Sequence, residues 1–159
     1  MWVQKALLSQ MHIATNGSKI DISTEKKLEK FANNYTAKLK QGDIFFLFGE
    51  MGVGKTTFVK FLINNLQLRF RQKLTEVTSP TFNIMNEYNI ENLSIKHYDL
   101  YRLNSLEELE NLNIFNEDEK AILIIEWPQI IKKEPNFVTK LYFEYQNEYQ
   151  NRFIKVYSQ

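Results

Sequence analysis

Apolar positions along the chain recur in two rhythms. Between Ser23 and Lys40, Leu28, Phe31, Tyr35 and Leu39 fall at three- and four-residue intervals, the stripe of an amphipathic helix. Ser23 is the expected cap of that helix, and Gly42 its stop. Asp43–Phe48 is a short apolar run of strand type. Thr56–Leu66 then carries Phe58, Val59, Phe61, Leu62, Ile63 and Leu66, enough apolar positions for a buried helix. Phe82–Tyr88 and Ser94–Asp99 predict two strands of a hairpin turning over residues 89–92. Ser105–Leu112 predicts a short helix capped by Ser105, with Glu107 and Glu108 in its first turn. Ala121–Ile125 is continuously aliphatic, as in a strand buried on both faces. Phe137–Tyr145 and Arg152–Tyr157 alternate apolar with polar residues and predict a closing antiparallel hairpin. Residues 1–17 show no clear period, and Met11 is a candidate start. The expectation is one α/β domain over 18–159, preceded by an N-terminal extension over 1–17.

The chemistry concentrates between the second and third of these elements. Gly49, Glu50, Met51, Gly52, Val53, Gly54, Lys55, Thr56 and Thr57 follow a predicted strand and open a predicted helix, and Gly49, Gly54, Lys55 and Thr56 match G-x-x-x-x-G-K-[ST]. The chain has 5 glycines, and three of them lie here. A phosphate-cradling loop needs them, because its backbone takes conformations a Cβ forbids and its N–H groups approach oxygen closely. Lys55 is expected to reach the β- and γ-phosphates of a nucleoside triphosphate, and the Thr56 hydroxyl to hold Mg²⁺. This predicts a P-loop NTPase-like domain, with a mixed, mainly parallel central sheet flanked by helices and the C-terminal antiparallel hairpin. Mg²⁺ and water also need a carboxylate at the end of a neighbouring strand, for which Asp99 and Glu126 are the candidates. Ser79 and Thr81, around Pro80, form either a switch-like loop sensing the γ-phosphate or a plain turn. Arg102 either faces the transferring phosphoryl or pairs on the surface. Trp127 is either a core anchor or a partner contact.

Composition narrows the class. The 159 residues are 43% hydrophobic and 14% aromatic, which excludes disorder. No apolar run approaches the roughly 20 residues of a membrane-spanning helix. The apolar run Ala6–Leu8 is too short for a secretory signal, so a cytoplasmic location is expected. With no cysteine there is neither a disulfide framework nor a thiolate metal site. His12 and His97 lie too far apart for a local metal motif. The net charge of +1 argues against a nucleic-acid binder driven by overall charge. Residues 1–80 are nevertheless basic and residues 81–159 acidic, and the basic excess either solvates the helix near Glu25–Lys40 or forms a binding patch. Asn-Lys-x-Asp is missing, which disfavours a Ras-like GTPase, and so is Leu-Ser-Gly-Gly-Gln, which disfavours an ABC-type ATPase. Four arginines are few for the lid of a small-molecule kinase.

Four blocks in order, Gly49–Phe58, Thr78–Phe82, His97–Leu103 and Ile125–Pro128, resemble the bacterial TsaE (YjeE) family over roughly residues 20–157. The resemblance implies an ATPase of tRNA threonylcarbamoyladenosine biosynthesis that binds ATP and Mg²⁺, acts with the TsaB–TsaD pair, and meets tRNA indirectly or through that complex. By position, it implies that Lys55 and Thr56 bind phosphate and Mg²⁺, with Thr57 beside them. Asp99 and Glu126 serve metal and water, Ser79–Thr81 is a switch-like loop, and Trp127 is the family's tryptophan after the acid. Glu50, Gln129 and Asn113 depart from an aspartate, an acid and a glycine common in the family. A small-molecule kinase and a nucleotide-dependent assembly factor with incidental hydrolysis remain the alternatives.

Overall fold

The computed structural model describes residues 17–115 and 120–158, so most of the expected N-terminal extension over 1–17, Met11 and His12 included, lies outside the described residues. The chain runs β1 (Lys19–Asp21), α1 (Glu25–Thr36), β2 (Ile44–Phe48), α2 (Lys55–Arg69), β3 (Met85–Ile90), β4 (Leu93–Asp99), α3 (Leu106–Asn111), β5 (Ile122–Glu126), a 3-10 turn (Pro128–Ile130), β6 (Thr139–Gln146) and β7 (Asn151–Ser158). The seven strands form one sheet in the order β1-β7-β6-β2-β5-β4-β3. β2 lies parallel to both β5 and β6, and β4 parallel to β5. The β1–β7, β3–β4 and β6–β7 pairings are antiparallel. The sheet is mixed, as expected, but it is parallel only from β6 to β4. The two hairpins and β1 make half of its pairings antiparallel, which corrects the expectation of a mainly parallel sheet.

Strand alternation divides the core in two. Phe45, Leu47, Ile122, Ile124, Leu141 and Phe143 face α1 and α2, where Leu28, Phe31, Phe58, Leu62, Ile63 and Leu66 meet them. Phe46, Leu123 and Ile125 point the other way, onto Tyr98, Leu100, Ile114, Ile131 and Val138. That second layer comes from irregular chain and the short α3, so only one face of the sheet is covered by long helices. Every residue of β5 is buried, because both of its faces are covered.

Three local expectations are corrected. α1 is capped by Thr24, whose hydroxyl accepts from the Lys27 N–H, whereas the Ser23 hydroxyl accepts from the Arg152 N–H at 3.0 Å and so joins β7. α1 stops at Thr36, whose hydroxyl bonds back to Ala32 O at 3.1 Å, four residues short of the expected end. β3 starts at Met85 and not at Phe82, because Ile84 takes φ 66° at the close of a turn in which its N–H reaches Pro80 O. The termini of the remaining elements fall within a few residues of expectation. Among the described residues, no helix is long and apolar enough to cross a membrane.

Candidate functional site

The carboxyl ends of β2, β4 and β5 are neighbours in the parallel part of the sheet, with Phe46 level with Ile125 and Asp99 level with Glu126. Ligands of open α/β sheets bind in the crevice outside such strand ends. An open cleft of about 340 Å³ lies there, walled by Met51, Gly52, Gly54, Lys55, Thr56, Thr57, Ser79, Thr81, Asp99, Tyr101, Arg102, Glu126 and Trp127. It gathers every predicted site residue except Gly49 and Val53, which pack beneath the loop, and Glu50, which is exposed. A larger hollow of about 640 Å³ between α3 and Ile131–Pro135 contains none of them.

The loop between β2 and α2 has the backbone that its glycines allow. Gly49, Gly52 and Gly54 all have positive φ. At Gly49 an added Cβ would stand 2.7 Å from Phe143 O, so the loop starts pressed against β6. Val53 is wholly buried in the core and anchors the loop from below. Gly54 precedes α2 without any side-chain cap, which leaves first-turn N–H groups, and the positive end of the helix dipole, toward the cleft. Such a terminus is suited to an anion.

Lys55 is buried, and its ammonium donates to Gly49 O at 2.6 Å and Glu50 O at 2.9 Å. The indole of Trp127 lies over it, 4.1 Å from ammonium to ring centroid. Burial pushes the Lys55 ammonium below its ordinary value, and the Glu126 and Asp99 carboxylates partly oppose the shift. Trp127 belongs to neither core cluster, so it is not a core anchor. It is half-buried, packs against Tyr101 at 4.9 Å and covers the lysine. Its backbone is left-handed at φ 56°, a strained conformation for a bulky residue and one that often marks a functional site.

The two acids do different things. Glu126 Oε1 accepts from Thr56 Oγ1 at 2.8 Å and also lies 2.8 Å from His97 Nε2. With its proton committed to Glu126, the Thr56 oxygen keeps lone pairs for a cation. Asp99 turns instead toward the loop before β3: its Oδ2 lies 2.5 Å from Ser79 Oγ and 2.8 Å from Thr81 Oγ1, and its Oδ1 accepts from the Tyr101 N–H. The Ser79 and Thr81 hydroxyls are themselves 2.7 Å apart, so three oxygens share two hydroxyl protons. Among the described residues, no group of three or more His, Cys, Asp or Glu side chains could hold a metal alone. Thr56 with one or both acids suits Mg²⁺ only as a partial set, completed by phosphate and water oxygens, which is how Mg²⁺ is commonly bound. Arg102 makes no ion pair among the described residues. Its guanidinium stacks 4.3 Å from the ring of the exposed Phe82 at the cleft mouth.

The sequence reading assigns His97 no role in this site, although it opens the His97–Leu103 block. A signal existed in the alternation of β4, which puts residue 97 on the same face as Asp99.

A glycine-rich loop, an uncapped helix start, a lysine and two strand-end acids around one cleft give this α/β sheet a site suited to an anion. The chain belongs to the TsaE family: the family model described as "Threonylcarbamoyl adenosine biosynthesis protein TsaE" matches residues 22–154. It is 43% identical over 114 residues to the tRNA threonylcarbamoyladenosine biosynthesis protein TsaE of Borreliella burgdorferi, covering 70% of this chain and 78% of that one. Against the Rickettsia typhi protein of the same name the identity is 38% over 111 residues, 70% of this chain and 74% of the other. The crystal structure of Bacillus subtilus YdiB shares the fold, with a TM-score of 0.68 and 23% identity over 91% of this chain and 87% of that one.

Proposed function

We propose that this protein is a Mg²⁺-dependent P-loop ATPase, slow on its own, that supports formation of threonylcarbamoyladenosine next to the tRNA anticodon in the cytoplasm by acting with the TsaB–TsaD pair. The observation that carries the reading is the convergence of the glycine loop, Lys55, Thr56 and Glu126 on one cleft at the carboxyl ends of parallel strands. The loop N–H groups and Lys55 would bind the phosphate chain, replacing the neutral carbonyls that now hold the ammonium. Thr56, with Glu126 beside it and Asp99 nearby, would hold Mg²⁺, which when bound neutralises phosphoryl oxygens. Glu126 would also orient the attacking water through its carboxylate. Asp99 holds Ser79 and Thr81 against the cleft, so this loop can respond to what occupies it. Trp127 covers Lys55 and shields it from bulk water.

Steady-state ATP hydrolysis by the purified protein, alone and with cognate TsaB–TsaD, tests the reading. Strong stimulation by the pair is the expected result. Equal rates in both conditions would overturn the partnership, and transfer of phosphate to a nucleoside, sugar or amino acid would replace the hydrolase with a kinase.

A further inference from the structure

Behind Glu126 lies a side chain that the chemistry above does not use. His97 stands on β4 facing the α1–α2 side of the sheet, between Ile95 and Asp99, and is wholly buried. Its Nε2 is 2.8 Å from Glu126 Oε1, and its Nδ1 is buried with no hydrogen-bond partner among the described residues. A carboxylate oxygen only accepts, so the imidazole carries its proton on Nε2. Thr56 donates to the same Oε1. Two donors converging from different elements on one oxygen fix the torsion of the carboxyl group, and they leave its second oxygen, Oε2, for the cleft that Glu126 lines.

An imidazole with one orphaned nitrogen is a poor filler for a layer otherwise made of Ile95, Ile122 and Ile124, because burying a polar atom without a partner costs free energy that an aliphatic side chain would not. We propose that His97 is a positioning residue: its Nε2–H holds the Glu126 carboxylate in the orientation that presents Oε2 to the metal and the attacking water. Thr56 alone cannot do this, since one hydrogen bond from a rotatable hydroxyl leaves the carboxylate free to swing. The proposal deepens the ATPase reading and rests on it.

The test compares the unsubstituted protein with His97→Phe, which keeps a ring but removes the donor, and His97→Gln, which returns an amide donor near the Nε2 position. In the ligand-free protein, long-range ¹H–¹⁵N spectra should show His97 protonated on Nε2, with both ring shifts moved by Glu126→Gln. In His97→Phe, turnover and the Mn²⁺ affinity of the ATP complex should fall by about 10–100-fold, the usual effect of removing a partner behind a ligand. ATP affinity without metal should not change, and His97→Gln should recover most of the loss. A neutral ring with its proton on Nδ1 and none on Nε2 overturns the proposal even if His97→Phe fails to fold, and so does a folded His97→Phe with unchanged turnover and Mn²⁺ affinity. Absence of ATP binding by the unsubstituted protein would instead overturn the ATPase reading and the proposal with it.

Discussion

The partners of the Lys55 ammonium are two backbone carbonyls and an aromatic face, none of them an anion. The charge is therefore free to move onto a phosphate, and Lys55→Ala should lose ATP binding or turnover; unchanged affinity and rate would remove the site. Because burial depresses the Lys55 pKa, the charged form opposes folding of the free protein. That opposition is complete below the depressed value and disappears as pH rises toward the ordinary 10.5. The stability of unsubstituted protein relative to Lys55→Met should therefore improve across that alkaline window in denaturant melts, and a pH-independent difference would contradict it. Glu126→Gln should keep nucleotide yet slow hydrolysis by about 10²-fold, since shape survives and charge does not. The glycines separate fold from function. Gly49→Ala would drive a Cβ into Phe143 O, backbone that cannot step aside, while Gly52→Ala meets only the Tyr145 hydroxyl at 3.5 Å. Thermal melts should thus show a larger loss for Gly49→Ala than for Gly52→Ala, whose strain alone costs about 1–2 kcal/mol. These residue types were legible because the loop's spacing is local. The pairing of His97 with Glu126 was not, since it joins positions 29 residues apart across two strands.

At the scale of elements, apolar runs revealed the buried strands, and their boundaries depended on contacts that no local pattern contains. β1 is three residues long with only Ile20 turned inward, and its partner β7 lies more than 130 residues further along the chain. Nothing near Lys19 could announce it. Ser23 looks as good a cap as Thr24, and the choice is made by β7, whose Arg152 N–H takes the Ser23 hydroxyl. Thr24→Ala should accordingly cost about 1 kcal/mol in denaturant unfolding through the lost cap. A similar loss from Ser23→Ala would reflect the tie to β7, and it should be equally large whether or not Thr24 is intact. Asp21 links the same elements, accepting from the Ser23 N–H and the Lys27 ammonium, which hold its carboxyl well below the usual range. A depressed folded pKa means that the link stabilises above the unfolded value of 3.8 and is lost as pH falls through the window beneath it. The difference in melting temperature between the unsubstituted protein and Asp21→Asn should shrink over that acid range.

Across the whole molecule, parallel registry does what the sequence cannot display. It brings residues 49, 99 and 126 to one rim because β2, β5 and β4 lie side by side and end together. Both layers of core converge on that rim, with Val53 rooted under the loop and Leu100 under the segment after Asp99. Occupying the cleft should therefore stabilise the entire fold and not a single loop. A ligand that binds only the folded chain adds about 2.7 kcal/mol at one hundred times its dissociation constant. For a domain of this length that corresponds to a rise of about 5–10 °C in melting temperature with ATP and Mg²⁺. The rise should vanish in Lys55→Ala and shrink when Mg²⁺ is chelated, since Thr56 and Glu126 then have no cation to hold. Scanning calorimetry with and without nucleotide checks both. An equal rise in Lys55→Ala would place the nucleotide elsewhere, whereas a rise indifferent to Mg²⁺ would keep the phosphate loop and remove Thr56 and Glu126 from the metal.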